Sequence, residues 1–217
     1  MNWLWLRPFP RLDTRAQFVA QSPRNGTLLD LGSSDGETLN HFAELRPDLQ
    51  LFAADKFGSP DNYPAGCRFY RVDFETEKLP LPNASIDCVT CMHLVEHMQD
   101  TGGLLAEIDR LLKPGGSAYF ETPHEKTSEL PSLKDGPITF TMNFYDDPTH
   151  VRPVSIKSLQ HAVQKAGLRV EKTGTSRNWL FAAAHPFFRF LPASRKRFTA
   201  QVHWIGWSAF LVARKPE

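Results

Sequence analysis

A strand, a glycine turn and a helix follow one another over residues 27–39, and this stretch constrains the fold more than any other. The apolar run Thr27–Leu31 contains a carboxylate, Asp30, next to its end, and a helical pattern begins at Gly36. This order is typical of the first unit of a doubly wound α/β sheet, in which ligands bind beyond the carboxyl ends of the strands. Gly32 allows a turn at positive φ, and we expect Gly36 to let the backbone approach a ligand closely. We expect Asp30 to accept hydrogen bonds from a cationic amine.

A second predicted strand, residues 49–55, also ends in a carboxylate. Asp55 stands 19 residues beyond Gly36, and the ribose-binding acid of a dinucleotide fold stands about 20 residues past the turn. A carboxylate at this point can accept hydrogen bonds from both vicinal ribose hydroxyls. A third strand, residues 67–72, leads to Asp73 and Phe74. The sequence therefore predicts a nucleoside site at the ends of these strands.

The rest of the chain continues the alternation of strands and helices. Apolar spacing predicts helices over residues 11–21, 36–46, 101–112 and 155–166, a turn at 113–116, and strands at 117–122, 168–173 and 206–213. Alternating strands and helices predict a parallel α/β sheet. Between residues 123 and 154 no periodic pattern survives, and loops of that length are usually functional or disordered. Aromatic residues, including Phe140 and Phe144, favour an ordered loop.

The turn does not have the G-x-G-x-x-G spacing of nicotinamide-binding proteins, because Ser34 stands in the middle position between Gly32 and Gly36. It resembles the first motif of the class I S-adenosylmethionine-dependent methyltransferases, an acid followed by three alternate glycines, with Ser34 as the departure. The segment 92–98 is similar to the Leu-Glu-His segment of that family. The resemblance covers roughly residues 27–167. It implies an α/β, doubly wound, seven-stranded, mostly parallel sheet with helices on both faces and a C-terminal antiparallel hairpin.

The resemblance implies S-adenosyl-L-methionine as the cofactor. In the family an acid after the third strand holds the adenine amino group and its neighbour lines the base pocket, which are the roles expected of Asp73 and Phe74. The residues expected to bind the cofactor are Asp30, Gly32, Ser34, Gly36, Asp55, Lys56, Asp73, Phe74 and His93.

The expected reaction is methyl transfer to a hydroxyl oxygen of a small molecule or glycan. Such an acceptor must lose a proton, and a neutral His suits this task because its unperturbed pKa is about 6.5. Residues 147–155 resemble a segment of bacterial methyltransferases linked to polysaccharide and small-molecule O-methylation, in which the His faces the acceptor. The predicted catalytic residues are therefore His150 as base and Asp147 as its orienting acid, with Asp146 as the alternative. His150 could instead cap the following helix or anchor the loop.

Two short motifs have metal or redox spacing. His93, Glu96 and His97 spell H-x-x-E-H, but a zinc protease needs this motif on a long helix, and here it follows a strand. Glu96 and His97 also resemble a pattern of the ubiquinone-type O-methyltransferases, for which Mg²⁺ is a candidate metal, whereas His93 replaces an acid of that pattern. We expect no metal. Cys88 and Cys91 lie three apart in a predicted strand and should point to opposite faces as small buried side chains.

Composition sets the remaining expectations. A net charge of +1 gives no electrostatic argument for a nucleic-acid partner. No apolar run approaches the roughly 20 residues that span a bilayer, so we expect a soluble, cytoplasmic protein of undetermined oligomeric state. The basic and aromatic stretch 179–198 indicates either a cap packed on the sheet at the acceptor side or contact with a membrane or a lipid-linked substrate.

We expect one methyltransferase domain over residues 1–217. It would comprise an N-terminal cap or lid (1–25), a cofactor-binding half (26–122) and an acceptor-side half (123–217). Two alternatives stay open at this point. One is an oxidoreductase that uses an NAD-type dinucleotide, and the other is a non-catalytic partner protein that keeps the methyltransferase fold.

Overall fold

Seven strands form one sheet in the residues that a computed structural model describes, 3–132 and 141–217. The strand order is β3-β2-β1-β4-β5-β7-β6, in which β7 runs antiparallel to both neighbours and the other pairs are parallel. The predicted fold class is thus confirmed, including the C-terminal antiparallel hairpin. The strands are Thr27–Leu31 (β1), Gln50–Asp55 (β2), Arg68–Arg71 (β3), Ile86–Met92 (β4), Leu112–Pro123 (β5), Arg169–Ser176 (β6) and Ser208–Arg214 (β7).

Six α-helices are described, and short 3₁₀ turns occupy several of the connections. The helices are Thr14–Ala20 (α1), Glu37–Leu45 (α2), Gly102–Leu111 (α3), Ile156–Lys165 (α4), Trp179–Phe188 (α5) and Arg195–Ile205 (α6). The 3₁₀ turns are Trp3–Leu6, Pro10–Leu12, Pro60–Asn62, Val95–His97, Glu125–Glu129 and Phe144–Asp146.

The two faces of the sheet carry separate cores. Successive side chains of a strand point to opposite faces, so Leu29 packs with α3 and α4 whereas Leu28 packs with α1 and α2. Cys88 and Cys91 fall on opposite faces and are buried among apolar side chains. Helices therefore cover both faces, as predicted, and the carboxyl ends of the parallel strands stay free to form a site.

One local prediction is corrected by the structure. The predicted turn at residues 113–116 lies inside β5, as a bulge between the pairs Ile86↔Leu112 and Cys88↔Ser117. Residues 179–198, for which no helix is predicted, form α5 and the start of α6. Their apolar side chains are spread around the helices rather than along one stripe, which hides the helical period. Within the predicted loop 123–154, Phe140 lies outside the described residues.

The N-terminal segment contributes to the core. Leu6 is buried and packs in the same cluster as Phe42 of α2 and Val19 of α1. The side chain of Asp13 accepts hydrogen bonds from the backbone N–H groups of Arg15 and Ala16 and so begins α1. At least part of the predicted cap is therefore structural, and the division into cap, cofactor half and acceptor half stays a prediction.

Candidate active site

A cavity of about 730 Å³ opens at the carboxyl ends of β1, β2 and β4. This is the edge at which open α/β sheets bind ligands. Seven of the nine predicted cofactor residues line it: Gly32, Ser34, Asp55, Lys56, Asp73, Phe74 and His93. Among the described residues, Asp30 and Gly36 do not line it.

The glycine turn has the backbone conformation that the sequence predicts. Gly32 and Gly36 have φ of 73° and 74°, and Ser34, which stands where the family has its middle glycine, also has a positive φ of 48°. A Cβ added at Gly36 would lie 2.5 Å from the backbone oxygen of Asn62. The Pro60–Asn62 turn therefore requires a glycine at position 36, and the close approach of Gly36 to a ligand stays a prediction.

Asp55 is held in place by the turn that it faces. Its Oδ2 accepts the backbone N–H of Ser34 at 2.8 Å, and its Oδ1 accepts that of Phe57 at 2.7 Å. A carboxylate oxygen can accept more than one hydrogen bond. Both oxygens can thus still receive ribose hydroxyls while the backbone fixes their direction.

The adenine end predicted for the cavity is bounded by an ion pair. Nζ of Lys56 lies 2.7 Å from Oδ2 of Asp73, and this pairing lowers the pKa of Asp73. Phe74 is partly buried against the core next to them. Asp73 is therefore ionised at neutral pH and can accept a hydrogen bond from an amino group.

Asp30 stands near the end of β1 but lies below the cavity. Its side chain is buried, and the hydroxyl of Thr90 donates to its Oδ1 at 2.6 Å. Burial raises the pKa of Asp30 to about 7, although Thr90 and the charge of Arg15 act in the opposite direction. Its contact with a cofactor amine stays a prediction.

His93 follows β4 with a positive φ of 54°. Its Nδ1 lies 3.0 Å from Oε1 of Glu96, and its Nε2 lies 3.3 Å from Oε1 of Glu121. Burial alone would lower the pKa of His93, but the hydrogen bonds to the two carboxylates raise it to about 9. His93 is therefore a cation at neutral pH.

Glu121, at the end of β5, organises the buried polar cluster behind His93, and sequence reasoning missed it. Arg15 donates to both of its oxygens, through Nε to Oε2 at 2.9 Å and through Nη2 to Oε1, and the hydroxyl of Tyr119 donates to Oε2 at 2.7 Å. Burial would raise the pKa of Glu121, but Arg15 and His93 hold it well below its usual range. The sequence feature that could have indicated Glu121 is its position near the end of a strand, which it shares with Asp30 and Asp55.

His93 also lines a second cavity, of about 350 Å³. Its wall combines cations, hydroxyl groups and aromatic rings from α1, α6, β6 and β7. The lining residues are Arg15, His93, Thr141, Ser176, Phe198, Val202, His203, Trp207 and Ser208. This arrangement can enclose a ligand that is partly polar and partly aromatic or aliphatic.

The predicted base lies behind the wall of the first cavity. His97 and Thr149 line that wall, and the ring centre of His150 lies 4.8 Å from that of His97. Nδ1 of His150 is 2.6 Å from the carbonyl oxygen of Phe144, and its Nε2 is 3.9 Å from Oδ2 of Asp147. The structure thus brings His150 and Asp147 together, and among the described residues neither lines either cavity.

Glu96, His97 and His150 also come close to one another. Each offers one ligand atom within 4.8 Å of the others, and Oε2 of the fully buried Glu96 has no hydrogen-bond partner among the described atoms. The H-x-x-E-H residues lie partly on the short turn Val95–His97 rather than on a long helix. This geometry agrees with the argument against a zinc protease.

Fold and cavity together define an α/β domain of the kind that binds a nucleoside cofactor at the ends of its strands. The chain belongs to the family described as Methyltransferase domain, whose pattern matches residues 5–173. It is a class I S-adenosylmethionine-dependent methyltransferase domain, as the resemblance implied.

Curated relatives match part of the chain. The ubiquinone biosynthesis O-methyltransferase of Paracidovorax citrulli is 46% identical over 100 residues, which are 45% of this chain and 39% of that protein. The demethylmenaquinone methyltransferase of Deinococcus radiodurans is 31% identical over 107 residues, 46% of this chain and 44% of that protein. The match thus spans less than half the length of these relatives.

Solved structures share the fold over nearly the whole chain. A Haloferax volcanii protein solved in complex with the Trm112 methyltransferase activator has a TM-score of 0.68 at 20% identity, covering 99% of this chain and 98% of that one. An S-adenosylmethionine-dependent methyltransferase from Mesorhizobium loti has a TM-score of 0.63 at 18% identity, covering 96% and 98%. At these identities the likeness concerns the fold.

The first cavity fits S-adenosylmethionine. Its volume of about 730 Å³ lies in the range of about 300–1,000 Å³ typical of small-molecule sites. Asp55 and Asp73 offer carboxylate acceptors in its wall, and Phe74 offers an aromatic ring. S-adenosylmethionine is therefore the cofactor whose chemistry matches both the family and the cavity.

Proposed function

We propose that this protein transfers the methyl group of S-adenosylmethionine to a hydroxyl oxygen of a small molecule or glycan. The observation that carries the proposal is that His93 lines two cavities, one suited to the cofactor and one to an acceptor. A donor in the first and an acceptor in the second would approach each other there. Alignment of this kind can supply several kcal/mol of the barrier.

In this proposal the strand ends hold the cofactor. Asp55 would bind the ribose hydroxyls, Asp73 the adenine amino group and Phe74 the face of the base. When bound, S-adenosylmethionine supplies a methyl group on a cationic sulfur that a nucleophile can displace without protonation of the leaving thioether. The protein must then align the acceptor and remove its proton.

His93 is unsuited to the role of base. Both of its ring nitrogens face carboxylates, and its raised pKa, about 9, keeps it protonated at neutral pH. A cation at this position would instead stabilise negative charge that develops on an acceptor oxygen. Another group must therefore act as the base.

We assign the base to His150. The carbonyl of Phe144 accepts a hydrogen bond from its Nδ1, which leaves Nε2 with the lone pair that can take a proton. Asp147 lies 3.9 Å from that nitrogen and would stabilise the imidazolium. His97 stands between His150 and the cavity, so the acceptor hydroxyl would have to pass His97. The curated O-methyltransferase relative supports the same reaction class.

The test uses methyl-tritiated S-adenosylmethionine with a panel of phenols, catechols and sugars. We expect His150→Ala to leave S-adenosylhomocysteine affinity within about twofold and to lower kcat by about 10²-fold or more. His161→Ala, an exposed change on α4, is the matched control. Full activity of His150→Ala would remove this residue from the mechanism.

The proposal includes no metal. Turnover should be the same with and without a chelator. Loss of turnover on chelation, with recovery on addition of Mg²⁺, would instead assign Glu96, His97 and His150 as ligands and overturn the role of His150 as base.

A further inference from the structure

We propose that the tip of the α5–α6 hairpin, residues 187–197, docks on an anionic membrane surface. The hairpin tip comprises the end of α5, the connection and the first turn of α6. The inference concerns a surface away from the cofactor cavity, and it holds or fails independently of the acceptor class.

The hairpin tip exposes an unusual amount of apolar surface. Of the eleven exposed large hydrophobic residues in the described chain, six lie between residues 179 and 204. Three belong to the tip: the side chains of Phe187 and Phe190 are each 76% exposed, and that of Leu191 is 50% exposed. Single exposed apolar side chains are ordinary, but a group of them marks an interaction surface.

The same surface is strongly basic. Residues 177–207 contain five Lys or Arg residues and no Asp or Glu, whereas the whole chain contains 25 Lys or Arg and 24 Asp or Glu residues. Four of the five lie in the tip: Arg189, Arg195, Lys196 and Arg197. The guanidinium of Arg189 lies 4.6 Å from the ring centre of Phe190. Arg195 also pairs with Glu37 at 2.7 Å, at the border of the tip.

Aromatic rings beside basic groups are what the headgroup region of an anionic bilayer binds. A second copy of the tip would meet it with like charge, which disfavours self-association through this surface. No helix in the described part of the chain is long and apolar enough to cross a bilayer, so the contact is with the membrane surface.

The opposite face of the hairpin connects this surface with the acceptor side. Phe198, Val202 and His203 line the second cavity and belong to α6, whose first turn forms part of the tip. Docking would therefore bring that cavity close to the membrane surface. An acceptor carried by a lipid could enter it without leaving the bilayer.

The experiment is co-sedimentation with vesicles of phosphatidylcholine containing 30% phosphatidylglycerol, compared with pure phosphatidylcholine. We expect at least about tenfold stronger partitioning onto the anionic vesicles, since each basic residue near the surface contributes roughly fivefold. Phe190→Ser and Lys196→Glu should each lower the partition coefficient at least about threefold. The matched controls, Phe9→Ser and Lys165→Glu, change an exposed ring and an exposed cation elsewhere and should leave it unchanged.

Three results would overturn the proposal. These are equal binding to both kinds of vesicle, equal losses in the tip variants and the controls, and a dimer in light scattering that Phe190→Ser converts to a monomer. Calorimetry with S-adenosylhomocysteine distinguishes failure of the docking proposal from failure of the proposed reaction. Phe190→Ser should bind S-adenosylhomocysteine with the affinity of the wild type. Thermal melts of each variant check that the fold is retained.

Discussion

Replacing Glu121 by Gln should destabilise this protein more than any other single change of charge at the site. The glutamate is buried, and it is the counter-ion of two cations, Arg15 and His93. Gln keeps the size of the side chain and removes the negative charge. The change therefore leaves no cavity. It removes the charge and also replaces one accepting oxygen by an amide NH₂ donor, so the expected loss includes the hydrogen bonds at that oxygen.

The magnitude follows from that arrangement. Removing one partner of a buried ion pair costs up to about 3–5 kcal/mol, and here the partly buried cations Arg15 and His93 lose their compensation. For a chain of 217 residues this corresponds to a fall in Tm of roughly 6–20 °C, at about 2–4 °C per kcal/mol.

The loss should also depend on pH. Because folding raises the pKa of His93 to about 9, its proton stabilises the fold fully below the unfolded value of about 6.5. This stabilisation is lost as the pH rises through about 9. The difference between wild type and Glu121→Gln should therefore be larger at pH 6.5 than at pH 9.5, where only the part due to Arg15 persists.

The assay is urea unfolding at both pH values, with Glu125→Gln as the control because Glu125 is exposed. The control should change the free energy of unfolding by less than about 0.5 kcal/mol. A loss below about 1 kcal/mol in Glu121→Gln, or a loss that is the same at both pH values, would refute the reasoning.

Three further changes test other parts of the account. Asp30→Asn should gain stability relative to the wild type in thermal melts as the pH rises from about 4 to 7. The reason is that burial raises the pKa of Asp30 to about 7, so the wild type loses stability over this range. A pH-independent difference in stability would contradict this. Gly36→Ala should cost at least about 1 kcal/mol more in urea unfolding than Gly66→Ala. Both glycines have a positive φ, but only at Gly36 would the added Cβ lie 2.5 Å from a backbone oxygen. Equal costs would refute the close approach. Leu6→Ala should cost about 2–4 kcal/mol and Phe9→Ala, at an exposed ring, under about 0.5 kcal/mol, so similar values would remove Leu6 from the core.

The cofactor side of the site could be predicted because its signals are local. Asp55 and Asp73 follow strands, and the positive φ at Gly32 is required by a turn that the sequence itself displays. Each of these inferences needs only neighbouring residues and the rule that parallel strands bring their carboxyl ends to one edge.

The acceptor side could not be predicted in the same way, because its contacts join distant residues. Glu121 and Arg15 are 106 residues apart, and nothing near either one indicates the pairing. The clash that requires Gly36 comes from Asn62, on a turn that folds back from beyond β2. A local pattern indicates that a glycine is needed, and only the packing shows which atom lies against it.

The central claim is that the cavity at the strand ends holds S-adenosylmethionine through Asp55. The direct measurement is calorimetry of S-adenosylhomocysteine binding to the wild type, to Asp55→Ala and to Asp61→Ala, an exposed acid on the neighbouring turn. We expect a micromolar Kd for the wild type and for Asp61→Ala. Asp55→Ala should bind roughly 10–150-fold more weakly, since the hydrogen bonds of a charged acceptor contribute about 1.5–3 kcal/mol. Unchanged affinity in Asp55→Ala, or binding of NAD in place of S-adenosylhomocysteine, would contradict the claim.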